Sequence, residues 1–301
     1  MRCTLRQLQV FAAVARHASY TRAAEELHLT QPAVFTQVKQ LEDALGAVLL
    51  DRIGKRLFLT EAGQAVLSTA RETLEGIERL EMQLADLQGL RRGRLRLAIV
   101  STAQYFLPRL LGDFCTENPG IEVALTVTNR QTVIARLAAN EDDLCILGQP
   151  PEGLDVIANP IARNPILVLA PPGHPLAGGT AVPFAALAEA PFILREPGSG
   201  TRAAAEKFFS EKGIRPQVRM ELGSNEAIKA AVAAGLGLAI LSQDTITLEV
   251  DTGRLVVLDV QGFPLMRTWN VAHPRGKHLS VAATAFLAHL ARGAPPRCVS
   301  Q

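Results

Sequence analysis

Residues 5–45 read LRQLQVFAAVARHASYTRAAEELHLTQPAVFTQVKQLEDAL and carry apolar side chains at helical spacing. The spacing predicts one helix from Leu5, a second from Ser19 and a third from about Gln31 to Leu45. Pro32 fits the first turn of the third helix, where Thr30 or Gln31 can cap the chain. This pattern is typical of a helix-turn-helix, whose third helix enters the major groove of DNA.

Residues 47–60 continue as two short apolar arms around a basic turn centred on Gly54. An isolated basic hairpin is usually a solvated surface element. Directly behind a helix-turn-helix, however, the position favours a wing whose cations contact DNA phosphates. We therefore interpret residues 1–60 as a winged helix-turn-helix DNA-binding domain with an all-α-type helical core.

The predicted DNA-contacting residues lie on the open faces of the third helix, mostly near its start, and in the wing. They are Thr30, Gln31, Pro32, Phe35, Thr36, Lys39, Arg52, Lys55 and Arg56. For Phe35 two interpretations remain: the ring contacts a thymine methyl group, or it folds back against the wing.

Length and composition suit a chain of two or three compact units with a modest net charge. The 301 residues carry a net charge of +2, with eight Lys/Arg and five Asp/Glu in residues 1–60. The four cysteines and six histidines are scattered without metal-ligand spacing, which favours packing or surface roles over a zinc, disulfide or redox site. With no secretory signal and no apolar run of about 20 residues, we expect a cytoplasmic protein without membrane contact.

Residues 61–90 predict one long linker helix without proline. Its apolar seam consists of Leu67, Leu74, Ile77, Leu80, Leu84 and Leu87. A single amphipathic helix can lie on its own domain, but a strip this long between two domains favours pairing with a second chain. Such a dimer sets the spacing of two recognition helices.

Residues 91–301 alternate short β-rich runs with helices, which indicates an α/β domain with parallel βαβ units. We predict two similar subdomains, one of about residues 94–162 and 267–295 and the other of about residues 163–266. Ligands of such sheets bind beyond the carboxyl ends of the strands, so the cleft between the subdomains is the expected site. The acidic run 141–143 is interpreted as a solvated loop and not as a metal site.

The predicted effector-binding residues follow strand ends or open helices around this cleft. They are Ser101, Thr102, Gln104, Gln149, Arg195, Glu196, Ser199, Thr201, Arg202, Asn225 and Arg267. The loop 195–202 combines two glycines with two arginines and suits a phosphate or carboxylate. For Arg267 we weigh contact with the anion, or a report of cleft closure, against pairing with a surface acid. An enzyme that clamps a phosphorylated substrate is disfavoured because no phosphate-loop lysine or acidic metal pair is present.

A family resemblance rests on several of these segments. They include residues 8–11, 19–27, 30–34, 37–38, 40–42, 45–46, 50–52 and 59–63. The pattern resembles the amino-terminal signature of LysR-type transcriptional regulators, except that Phe35 stands where a small hydroxyl residue is common. The resemblance implies a winged helix, a dimerising linker helix and a two-subdomain effector domain like periplasmic binding proteins. It also implies homodimers assembling to homotetramers on double-stranded promoter DNA, with RNA polymerase as a partner.

A narrower resemblance spans the effector-binding part. It covers residues 140–144, 150–152, 174–177, 195–202, 224–228, 234–237, 258–264 and 267–269. These segments resemble the CbbR-type regulators of Calvin-cycle carbon fixation. The resemblance implies an activator of Rubisco genes, with no cofactor and no catalysis, that answers to a phosphorylated sugar or a nicotinamide nucleotide. Regulators of inorganic-carbon uptake are similar in the same segments, and an effector-independent repressor is a further alternative.

Overall fold

The computed structural model of the chain describes residues 3–54, 56–87, 93–187 and 189–293. The chain divides into two compact units, Met1–Leu90 and Arg91–Gln301. In the described ranges, no helix combines the length and the apolar character that crossing a membrane requires.

The first unit is a helical core followed by a two-stranded hairpin and a long helix. Its elements are α1 (Leu5–His17), α2 (Tyr20–Leu27), α3 (Gln31–Leu45), β1 (Leu50–Ile53), β2 (Arg56–Leu59) and α4 (Glu61–Leu87). The hydroxyls of Thr4, Ser19 and Thr30 cap the first three helices by accepting backbone N–H groups. β1 and β2 pair antiparallel, as expected for the wing.

Apolar faces of the first three helices meet in one core, which positions α3. Phe11, Val14, Val34 and Leu41 are fully buried there. α4 also packs against this core, and its first turn lies very close to the backbone of Leu49. A Cβ on Gly63 would lie 2.1 Å from the carbonyl oxygen of Leu49. Only glycine allows that close approach in the first turn of α4.

The structure divides the predicted seam of α4 into two parts. Leu67 is 8% exposed and packs in the core of its own unit, and Leu74 packs against the same core. Leu80 and Leu84 are 54% and 52% exposed. The early part of the seam therefore packs against the chain's own domain, so the whole seam is not available to a partner. The later part, with Leu80 and Leu84, is exposed.

The second unit is built on one nine-stranded sheet covered by helices. Its strands are β3 (Gly93–Val100), β4 (Ile121–Thr128), β5 (Leu144–Leu147), β6 (Val156–Ala170), β7 (Pro191–Arg195), β8 (Gln217–Leu222), β9 (Leu238–Ser242), β10 (Val256–Leu258) and β11 (Leu265–Pro274). Its helices are α5 (Leu107–Glu117), α6 (Arg130–Ala138), α7 (Gly200–Glu211), α8 (Asn225–Ala233), α9 (Thr247–Asp251) and α10 (Val281–Gly293).

The strand order is β4-β3-β5-β11-β6-β9-β7-β8, with β10 added beside β6. β3, β4 and β5 are mutually parallel, and so are β7, β8 and β9, as the βα alternation predicts. We call these the first and second halves of the sheet. β6 and β11 lie between the halves and pair antiparallel along most of their length.

β6 begins ten residues before the predicted strand, at Val156 instead of Ile166. The first ten residues of β6 include two prolines and several polar residues, so they lack the apolar pattern that predicts a strand. The pairing with β11, which has a register shift between Trp269 and Asn270, holds that part extended. α9 and β10 were likewise not predicted.

The register of these crossing strands brings the two sets of carboxyl ends together. β5 ends at Leu147, which pairs with Asn270 of β11, and Asn270 lies opposite Pro160 of β6. β9 ends at Ser242, which lies opposite Ile166 of β6. The carboxyl ends of the first and second halves therefore face each other across residues 160–166, where a ligand site is expected.

Candidate DNA-binding surface and ligand cavity

The predicted DNA-reading residues that the structure describes are exposed on α3 and the hairpin. Gln31, Pro32, Phe35, Thr36 and Lys39 lie on the open faces of α3, with Thr30 at its cap and Arg52 and Arg56 in the strands. Lys55 falls outside the described residues. The hydroxyl of Thr21 donates a 3.3 Å hydrogen bond to Oε1 of Gln31, so α2 positions the first residue of the reading helix.

Phe35 packs edge-on against Tyr20 of α2, with ring centroids 5.5 Å apart. Its side chain nevertheless remains 54% exposed. The contact with Tyr20 fixes the ring without covering it, so an apolar surface stands beside the polar side chains of α3. This arrangement favours the contact with a thymine methyl over packing on the wing.

In the second unit a cavity of about 280 Å³ lies between the two halves of the sheet. Seven predicted effector-binding residues line it: Ser101, Thr102, Gln149, Arg195, Ser199, Thr201 and Arg267. Its lining carries four cations, Arg130, Arg195, Lys207 and Arg267, and one acid, Glu152. Such a cavity is suited to a small anion.

Arg195 organises the cavity wall at the end of β7. Its side chain is 2% exposed and forms a two-bond pair with Glu196, with Nε to Oε2 at 2.7 Å and Nη2 to Oε1 at 2.9 Å. Nη2 also donates to the hydroxyl of Ser101 at 3.0 Å. Because Ser101 follows β3, this bond joins the two halves of the sheet beside the cavity.

Four predicted residues lie outside the cavity lining. Asn225 and Glu196 support Arg195 from behind, as Nη1 of Arg195 donates to Oδ1 of Asn225 at 2.6 Å. Arg202 is held by Glu206 and Glu221, with nitrogen–oxygen distances of 2.7 and 2.8 Å, and Gln104 is an exposed side chain. The loop 195–202 therefore presents one arginine to the cavity instead of two.

Several residues that line the cavity were not predicted from the sequence. Asn129 and Arg130 follow β4 and open α6, and Asn129 caps that helix. The strand-end rule that identified Ser101 and Thr102 applies equally to this pair. Asn164 and Trp269 lie on the crossing strands, where no local pattern marks them, and Lys207 lies on α7.

The acidic run 141–143 is not the solvated loop that the sequence suggested. Asp142 and Asp143 are 5% and 6% exposed. Asp142 accepts two 2.8 Å hydrogen bonds from Arg136, and Asp143 accepts the backbone N–H of Arg96. Among the described residues, no group of three His, Cys, Asp or Glu side chains is placed to hold a metal ion.

Cys145 lies buried on β5 next to this acidic run. Burial, followed by the charge of Asp142, raises the pKa of its thiol to about 12. A thiol with this pKa is almost entirely protonated at neutral pH and is a poor nucleophile. The chemistry therefore favours a packing role for Cys145 over redox sensing.

Comparisons with known proteins identify the family of the chain. Residues 88–295 match the LysR substrate binding domain, and residues 5–64 match the bacterial regulatory helix-turn-helix protein, lysR family. A RuBisCO operon transcriptional regulator of Acidithiobacillus ferrooxidans is 52% identical over 287 residues, which are 95% of this chain and 93% of the relative.

Two solved structures are similar over large parts of the chain. The Synechocystis PCC6803 CcmR regulatory domain in complex with 2-PG is 47% identical, has a TM-score of 0.66, and covers 68% of this chain and 99% of its own. Full-length CbnR in complex with its target DNA is 26% identical, has a TM-score of 0.66, and covers 97% of this chain and 100% of its own. With both family matches in place, the chain belongs to the LysR family of DNA-binding bacterial transcriptional regulators and is not an enzyme.

Proposed function

We propose that this LysR-family regulator activates CO₂-fixation genes, including those of Rubisco, in response to a small phosphorylated metabolite. The observation that carries the proposal is the cavity between the two halves of the sheet, whose lining carries four cations and one acid. The similarity over 95% of the chain to a RuBisCO operon regulator supports the choice of target genes. The similarity to a regulatory domain in complex with 2-PG supports an anionic ligand.

The size of the cavity favours a compact ligand. Its volume of about 280 Å³ lies just below the usual range of ligand pockets, ~300–1,000 Å³. A phosphorylated two- or three-carbon acid, such as 2-phosphoglycolate, suits this space and its charge. A short phosphorylated sugar is the next choice, and a nicotinamide dinucleotide is disfavoured because it requires a much larger pocket.

We propose that the chain acts as a homodimer that assembles to a homotetramer in the cytoplasm. The exposed Leu80 and Leu84 of α4 provide an apolar strip for a second copy of the same helix. Pairing there brings two α3 helices to neighbouring half-sites on promoter DNA. In this scheme residues 61–90 transmit the state of the effector domain, residues 91–301, to the DNA-binding domain, residues 1–60.

The coupling between ligand and DNA is a shift between conformations. A ligand that binds the cavity more tightly in one relative position of the two halves stabilises that position. The paired α4 helices then alter the spacing of the recognition helices, and with it DNA bending and the contact with RNA polymerase.

The test is a pair of binding measurements on the full-length chain. Titration with 2-phosphoglycolate, ribulose bisphosphate and NADPH should give the tightest binding for the compact phosphate, monitored by the fluorescence of the single tryptophan, Trp269. Gel shifts should show preference for DNA upstream of a Rubisco operon over random duplex at about 0.15 M salt. Binding of the DNA without any response to these ligands would instead identify an effector-independent repressor, and preference for a bicarbonate-transport promoter would change the target operon.

A further inference from the structure

Two arginines converge on one glutamine in the wall of the cavity. Arg130 Nη2 donates a 3.2 Å hydrogen bond to the backbone oxygen of Gln149. Arg267 Nη1 donates a 2.8 Å hydrogen bond to Oε1 of the same residue. Across the described parts of the chain, neither guanidinium has a carboxylate within salt-bridge distance. The pair is therefore held in place by a neutral residue that does not cancel its charge.

The electrostatics of this pair are unfavourable without an anion. Burial and then the charge of Arg267 lower the pKa of Arg130, while the charge of Glu152 acts in the opposite direction. A lowered arginine pKa means that the surroundings disfavour the positive charge. An anion placed between the two guanidiniums reverses this effect, because both can then form charge-assisted hydrogen bonds.

Arg130 also contacts the opposite half of the sheet. A Cβ on Gly200, the first residue of α7, would lie 3.1 Å from Cδ of Arg130. A Cβ on Gly198, whose φ is +85°, would lie 2.9 Å from Oε1 of Gln131. The start of α6 therefore rests on the glycine-containing loop before α7, and a side chain added there would force Arg130 or Gln131 to shift.

We propose that Arg130 and Arg267 are the charge-sensing pair of the cavity, which binds a phosphoryl dianion and stabilises the packing of Arg130 on Gly200. This inference rests on the proposed function and specifies which residues read the ligand. A phosphate carries its second negative charge above its second pKa of about 6, whereas each carboxylate carries one charge only. The pair thus selects phosphorylated ligands over carboxylic acids of similar size.

The experiment compares 2-phosphoglycolate with malonate and glycolate, using the fluorescence of Trp269 as the readout. The wild-type chain should bind 2-phosphoglycolate more tightly than either acid at pH 7.5, and lowering the pH to 5.5 should weaken its binding. Arg130→Gln and Arg267→Gln should each weaken 2-phosphoglycolate binding about tenfold or more. The fold-loss of 2-phosphoglycolate affinity in the double variant should be smaller than the product of the fold-losses in the two single variants, because both side chains bind the same phosphoryl group.

Two further variants separate this pair from general attraction and from folding defects. Lys207→Gln removes a lining cation outside the pair and should weaken binding less than either arginine variant does. Gly200→Ala should weaken binding with all charges kept, and thermal unfolding followed by circular dichroism verifies that each variant folds.

Wild-type affinity in Arg130→Gln or Arg267→Gln, or losses no larger than that of Lys207→Gln, would overturn the charge-sensing pair while leaving the proposed function intact. Unchanged binding in Gly200→Ala would overturn the coupling to the α6–α7 contact. If the wild-type chain binds no phosphorylated compound, both this inference and the proposed effector are wrong.

Discussion

Arg195 Nη1 donates a 2.6 Å hydrogen bond to Oδ1 of Asn225, the first residue of α8. Arg195 ends β7 and also bonds Ser101 after β3, so one buried guanidinium ties three elements together at the edge of the cavity. Its charge is matched by Glu196, and it is therefore a fixed part of the wall before any ligand arrives.

Replacing Arg195 by Gln should lower the free energy of unfolding of the effector domain by about 3 kcal/mol, because Glu196 and Asn225 lose a buried charged partner. The affinity of this variant for 2-phosphoglycolate should also decrease. Urea denaturation followed by circular dichroism measures the stability change. As a control, Arg275→Gln breaks an exposed pair with Asp155, whose side chains are 60% and 75% exposed, and should cost less than about 1 kcal/mol. Equal effects of the two variants would contradict the structural role of Arg195.

A second link between the halves is the 2.8 Å hydrogen bond from the hydroxyl of Tyr105 to Oε1 of Glu226. Tyr105→Phe keeps the ring over Lys229 but removes this bond, and should weaken 2-phosphoglycolate binding up to about tenfold. Glu206→Gln, which removes an acid from α7 away from the cavity lining, is the control and should leave the affinity unchanged. Wild-type affinity in Tyr105→Phe would show that this bond has no part in ligand binding.

Phe35 offers a test of the reading helix. Phe35→Ala removes an exposed ring and should change the stability by less than about 1 kcal/mol. It should lower the affinity for the specific promoter fragment about tenfold while leaving non-specific binding almost unchanged. Gel shifts on specific and random duplexes measure both. Phe58→Ala, which removes a ring that is 46% exposed in β2, is the matched control, and an equal loss in both variants would argue against base contact by Phe35.

The exposed part of α4 predicts the oligomeric state. The double variant Leu80→Glu and Leu84→Glu places charges in the apolar strip and should shift the protein toward monomers in sedimentation velocity at micromolar concentration. Gln64→Glu adds a charge at an exposed position near the start of the same helix and should leave the assembly unchanged. A wild-type sedimentation profile in the double variant would contradict pairing through α4.

The thiol of Cys145 should resist modification. With a pKa of about 12, its thiolate fraction at pH 8 is on the order of one in ten thousand, so alkylation should be very slow in the folded protein. Cys3, which is exposed, should react readily and serves as the internal control. Mass spectrometry after brief iodoacetamide treatment measures both. Rapid labelling of Cys145 would reopen the redox-sensing alternative.

The sequence was most informative where structure depends on neighbouring residues. The sequence indicated Ser19 as the start of the second helix and Thr30 as a candidate cap of the third. The seven lining residues found in advance follow a strand or open a helix, except Arg267, which lies on the predicted return crossover. Helix capping and strand-end geometry are local effects, so a single sequence carries them.

Features that depend on distant pairing were not predictable. The early part of β6 is held extended by β11, about a hundred residues later, and only that pairing brings Asn164 and Trp269 to the cavity. Arg202 departs from its predicted ligand-binding role for the same reason, because its guanidinium pairs with Glu221 on β8, which is distant in sequence. The division into residues 1–60, 61–90 and 91–301 and the subdomain limits stay predictions.

The most direct test of the account is a DNase I footprint of the full-length protein on DNA upstream of a Rubisco operon, with and without 2-phosphoglycolate. The account predicts protection of that fragment in preference to random duplex, and a footprint whose extent changes when the ligand is added to the wild-type chain but not to Arg267→Gln. A footprint that the ligand leaves unaltered in the wild-type chain, or no preference for the fragment, would contradict it.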